Sequence, residues 1–392
     1  MRTSCKKMIR TLAPPWLVLL ITCTGLVKLQ LNPEYYNSAD PGWPIIYASN
    51  SRQNAVDSDL LPPYKVIWET GTKSVIPDQL LAIDNYLIFT SKNGNLTFLD
   101  IEKGDVIGES RIAPAFEHAP IIDGQVLFYA TNLGNETLVA LNLLNLKKIW
   151  KLNLPHLYTS PLIWKDRIYV GTKDGRLFCV DKKLGEIFWH FNAKASLFGV
   201  PAEKEGKIYF CDVKGSIYCI DGLTGKNLWI TDLQPNIYSG PVIGKDKLYL
   251  GTTAGIFYAL NLISGKILWE MESGGSIYSN ASYKDNVIYF GNNSHKIFAL
   301  DADNGHAIWE FQTQGIINSA PLLGGNLLYI GSWDHNLYIL SQNSGELIQR
   351  VEFKRPIKSS PLLYKSNLFI HVANDHLFCL GKQDQTDGGK KK

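Results

Sequence analysis

Four short runs, Ile237-Tyr-Ser-Gly-Pro-Val-Ile243, Lys247-Leu-Tyr-Leu-Gly251, Ile256-Phe-Tyr-Ala-Leu260 and Lys266-Ile-Leu-Trp269, follow one another with only tight turns between them. Each is four to seven residues of apolar, aromatic and β-branched side chains, and each break carries Gly, Asn or Asp. That is the pattern of strands joined by hairpin turns. The turn Asn261-Leu-Ile-Ser-Gly265 shows the chemistry. Its Asn side chain can accept from backbone amides just ahead, and its Gly permits the positive φ at which the chain reverses.

The unit recurs. Asp181-Lys-Lys-Leu-Gly185-Glu-Ile-Phe-Trp189, Asp221-Gly-Leu-Thr-Gly225-Lys-Asn-Leu-Trp229 and Asp301-Ala-Asp-Asn-Gly305-His-Ala-Ile-Trp309 repeat its last turn and strand, with degenerate copies at Asp100, Asn142, Ser341 and Gly381. Successive copies lie 42, 39, 40, 40, 40, 40 and 40 residues apart. Four antiparallel strands in about 40 residues describe a propeller blade, which must stack on neighbours and close into a ring. The last unit supplies three strands, ending with His376-Leu-Phe-Cys-Leu380, and lacks a fourth. Lys65-Val-Ile-Trp68 stands alone near the start and matches Lys266-Ile-Leu-Trp269 in residue type. The reading is an all-β protein, an eight-bladed β-propeller of four-stranded antiparallel blades, closed by an N-terminal strand at 64–68 that completes the C-terminal blade.

The pattern Ile-Tyr-x-Gly, then Gly-x-x-Tyr-x-Leu-Asp-x-x-x-Gly-Lys-x-x-Trp, resembles the PQQ-like propeller repeat family over about 64–381, and Trp43-Pro-Ile-Ile-Tyr47 resembles its lead-in. In size and in its leader the chain is similar to the family's propeller lipoproteins of the bacterial outer-membrane β-barrel assembly machinery. That resemblance implies a scaffold with a protein partner. The family also holds quinoprotein dehydrogenases that use PQQ and calcium. This chain has neither their adjacent cysteine pair nor their long insertions between blades, so no cofactor is expected. Fold resemblance says more about architecture than about function.

The ends carry the excess positive charge. Residues 1–28 hold five cations and no acid around the apolar run Trp16–Val27, which is too short as a helix for a bilayer core. A signal peptide or signal anchor at 1–28 is expected, and hence an exported, periplasmic or membrane-associated protein. Cys23 carries a weak lipid-anchor signal. Residues 29–62 read as an extension along the propeller surface, 63–381 as the propeller and 382–392 as a disordered polar tail. Residues 29–381 hold 30 basic and 34 acidic side chains, a net charge of −4, which gives no footprint for nucleic acid. Cys179, Cys219 and Cys379 fall at one repeat position and fit no metal motif, so no metal site is expected and buried free thiols are.

Trp68, Trp150, Trp189, Trp229, Trp269 and Trp309 recur on the fourth strand, where blade docking is the expected role. A second series, Tyr158, Phe198, Tyr238, Tyr278, Asn318 and Lys358, precedes the first strands and should gather at one mouth of the channel. The turns between second and third strands share that face and bring Trp333 and His335. A tryptophan at a loop tip is the kind of anchor that interfaces use. No catalytic residue is expected, and Asp334 beside His335 is a minor acid–base candidate. The sequence thus predicts a non-catalytic exported scaffold, a monomeric propeller that binds a protein partner in the cell envelope. The alternatives are a small-ligand or PQQ-binding dehydrogenase-like protein and a glycan-binding propeller.

Overall fold

Alternation of apolar and polar residues cannot bury both faces of so small a sheet, so the units stack. In the computed structural model, which describes residues 45–382 apart from 46, 58–59, 78 and 374, they do so as eight sheets in a ring. The expected leader at 1–28, Cys23 and the tail beyond 382 lie outside the described residues. Blades 1 to 7 span 81–111, 121–152, 162–192, 202–232, 242–272, 282–312 and 322–352. Blade 8 combines 362–382 with the N-terminal strand Tyr64–Gly71.

The closure repeats the register of an ordinary blade. Trp68 faces Cys379, as Trp229 faces Cys219 and Trp189 faces Cys179, and each pairing is followed by the same one-residue irregularity. The first and last parts of the chain therefore share one sheet, and opening the ring requires breaking it. The four described cysteines are free and buried.

Blades are joined by a repeated lock. The indole of Trp229 lies on Gly265 of the next blade, where an added Cβ would fall 2.5 Å from the ring. Its Nε1 donates to Leu262 O of that blade at 3.2 Å. Trp68, Trp150, Trp189, Trp269 and Trp309 make the equivalent bonds to Ile101, Lys182, Leu223, Ala302 and Gln342. The glycine serves twice, since it also sits at φ +68. One junction is inverted. Gly108 stands where blade 2 has Trp150, and the turn it faces carries Leu146, at φ +55, packed into the core between blades 1 and 2.

The described part of the extension does not run along the surface. Residues 49–56 enter the central channel and follow its wall from blade to blade. The inner strand of every blade is a sheet edge, and its unpaired groups need partners. Glu203, Ile243, Tyr283 and Leu323 occupy the same repeat position in blades 4 to 7, and their amides donate to the carbonyls of Asn50, Ser51, Gln53 and Asn54. Ala55–Val56 then pairs in parallel with Leu322–Gly324 of blade 7. Arg52 and Asn54 are fully buried, with Arg52 Nε on Pro201 O at 3.0 Å and the Asn54 amide on Pro321 O. The polarity that reads as solvent exposure is what bare strand edges require.

Candidate functional site

The first strands begin at the mouth opposite the hairpin tips of their own first turns, and the side chain just before each strand projects there. Tyr158, Phe198, Tyr238 and Tyr278 form an arc across blades 3 to 6, with ring centroids 5.3, 5.4 and 5.9 Å apart in successive contacts. The first two contacts are edge-to-face, a favourable aromatic geometry. Phe198 and Tyr278 are exposed, while Tyr158 and Tyr238 are half-buried.

Two cations stand over rings of this face. Lys173 Nζ lies 5.8 Å from the Tyr158 ring. On the other side Lys358 folds over Trp333, with Nζ 4.2 Å from the ring. Trp333 is exposed, and its backbone amide is tied to Ile316 O at 3.0 Å, so the loop tip is fixed while the indole is presented. The structure thus brings Tyr158, Phe198, Tyr238, Tyr278, Lys358 and Trp333 to one face.

Asn318 sits between the arc and Trp333, and its Oδ1 is buried without a hydrogen-bond partner among the described residues. Ser279 Oγ and Asn280 Nδ2, next to Tyr278 in the chain, share that condition, although Asn280 Oδ1 accepts from Gly240 N at 2.9 Å.

Asp334 and His335 do not form an acid–base pair. Asp334 accepts from Tyr338 Oη at 2.8 Å and from Asn336 within its own hairpin, and from the Gln314 amide of the preceding loop at 3.0 Å. Burial pushes its carboxyl upward, but the bonds from Asn336 and Tyr338 outweigh burial and leave it below the usual carboxylate range. His335 occupies a positive φ of 73° and accepts from Phe353 N through its backbone. Its side chain is half-buried at the loop tip beside Trp333.

His118 is part of the arc that the sequence reading passes over. Its ring packs edge-on against Tyr158 at 5.9 Å, and burial holds its pKa down at about 4. Counting forty residues back from Tyr158 lands on it, so the signal was present in the period.

Taken together, an eight-fold ring of PQQ-like repeats, a channel lined by its own chain and an aromatic mouth define a propeller of the PQQ-repeat class. Residues 157–282, 264–362 and 293–388 match the family described as outer membrane protein assembly factor BamB, which together is more than half of the chain. The chain belongs to that family. BamB from Moraxella catarrhalis is similar at 18% identity and a TM-score of 0.70, over 84% of this chain and 100% of that one. The fold is shared more widely. A quinohemoprotein alcohol dehydrogenase from Pseudomonas putida HK5 gives 11% identity and a TM-score of 0.74 over 90% and 82% of the two chains. A europium-containing methanol dehydrogenase gives 11% and 0.73 over 88% and 98%. No curated protein matches the chain.

Proposed function

We propose that the chain is a non-catalytic, exported scaffold that binds a protein partner in the cell envelope through the aromatic mouth, in outer-membrane protein assembly. The observation that carries the reading is the arc of rings ending at Trp333, held in place by hydrogen bonds that leave the indole exposed. Large aromatic side chains on a fixed frame bury much area for little loss of side-chain entropy, which is what hot spots require.

The lined channel supports the non-catalytic half of the proposal. Arg52 and Asn54 are buried against the inner strands, where a quinone-type group would have to displace them. Among the described residues no group of three or more His, Cys, Asp or Glu side chains is placed to hold a metal ion. The residues present do not fit a quinone with calcium. A bound-quinone absorbance band, or stabilisation by calcium, would reverse this conclusion.

One observation favours a second reading. The orphaned Ser279 Oγ, Asn280 Nδ2 and Asn318 Oδ1 on blades 6 and 7 suit a small polar ligand or a sugar at the mouth. Recovery from solubilised envelope of tagged protein and of the Trp333→Ala and Tyr238→Ala variants separates the two. The scaffold reading expects one stoichiometric protein, lost in the variants. Empty recoveries with saturable binding of soluble glycan would support the second.

A further inference from the structure

The opposite face is not uniform. It is built from the turns between first and second strands and between third and fourth strands, and in three adjacent blades the latter end in bare aliphatic side chains. Leu184, Leu223 and Ile263 are 65, 47 and 77% exposed. The corresponding turns of blades 6, 7 and 1 place Asp303, Asn343 and Glu102 outward and bury their apolar residues, Ala302 and Ile101 among them. The aliphatic tips are therefore a property of blades 3 to 5, not of the repeat.

Charge follows the same division. Lys183, Lys226 and Lys266 flank the tips, are exposed and make no ion pair among the described residues. The acids nearby are Glu186 and the turn carboxylates Asp181 and Asp221, which are held by backbone amides of their own turns. Asp166, Glu205 and Asp246 join them at the first turns of the same blades, where Lys165, Arg167, Lys204, Lys207, Lys245 and Lys247 outnumber them. This concentration of cations lies on a body whose net charge over 29–381 is −4.

Isolated apolar loop tips ringed by lysine suit neither a protein core, which wants contiguous area, nor water. They match a bilayer surface, where short aliphatic side chains enter the headgroup region and lysines meet anionic lipid. We infer that blades 3 to 5 dock on an anionic lipid surface through Leu184, Leu223 and Ile263, so that the aromatic mouth faces away from the membrane. The inference is independent of what the mouth binds.

The test uses the full chain with Cys5→Ser and Cys23→Ser, in which the remaining four thiols are buried. An environment-sensitive fluorophore is attached at Ile263→Cys or, as the control, at Tyr278→Cys. Vesicles of phosphatidylcholine with about a third phosphatidylglycerol should blue-shift the label at 263 and shield it from an aqueous quencher, while the label at 278 stays aqueous. Combining Lys183→Glu, Lys226→Glu and Lys266→Glu should cut vesicle partitioning on the order of a hundredfold, at about 1 kcal/mol per lysine or more. An aqueous label at 263 on vesicle-bound protein, an equal shift at 278, or partitioning indifferent to the three lysines would overturn the inference and leave the tips to a protein.

Discussion

Gly265 and Trp229 show how much one pair of residues decides. The glycine is required by its φ of +68 and again by the indole that lies on it. Gly265→Ala should cost more than the usual 1 kcal/mol or so of a forced positive φ, because the methyl also displaces the ring. Trp229→Ala should cost about 3–5 kcal/mol, since it opens a cavity and leaves Leu262 O only the longer bond from Tyr209 Oη. Trp333→Ala should leave the unfolding midpoint almost unchanged, because that indole is exposed. Urea titrations of the three variants check the contrast, and equal losses in all three would contradict it.

Two histidines add a pH dependence. Burial holds His118 and His371 at a pKa of about 4, against about 6.5 in an unfolded chain. Between those values the unfolded state binds more protons, so stability is present above about pH 6.5 and is lost as the pH falls toward 4. Replacing both by Gln should flatten that slope. An unchanged slope would show that other groups set the acid limb.

At the scale of elements, the propeller was legible because its information is periodic. A 40-residue spacing of Asp, Gly and Trp reports hairpins and inter-blade contacts at once, and the lone strand around Trp68 has only one vacancy to fill. The channel strap was not legible. Its partners are backbone groups of inner strands, which leave no pattern of side-chain types, and Ser49-Asn-Ser-Arg-Gln-Asn54 looks like any polar loop. Asn54→Ala should destabilise by about 1 kcal/mol by removing one of the two bonds to Pro321 O inside the ring, where Ser282 Oγ still donates, and Asn50→Ala by less, since Asn50 is only half-buried. The inverted junction gives a sharper test. Gly108→Trp and Leu146→Gly should each destabilise, and the double variant should recover about 1–3 kcal/mol of their sum in a double-mutant cycle. Strict additivity would mean that the two positions do not meet.

At the scale of the whole molecule, the ring separates two faces with different surfaces. One presents rings and a lysine-covered indole, and the other presents aliphatic tips among lysines. The mouth residues were readable from the sequence because each falls at a fixed offset from the first strand. What the sequence lacked was their order in space, namely the edge-to-face chain from His118 to Tyr238, its tilted contact with Tyr278, and the stacking of Lys358 on Trp333. The central claim is that the aromatic mouth is the working face. The most direct measurement places a photo-crosslinking residue at Phe198 or Tyr278, and at Ile308 on the circumference, in intact cells. The account predicts one protein adduct from the two mouth positions and none from Ile308, whereas an adduct from Ile308 alone would contradict it.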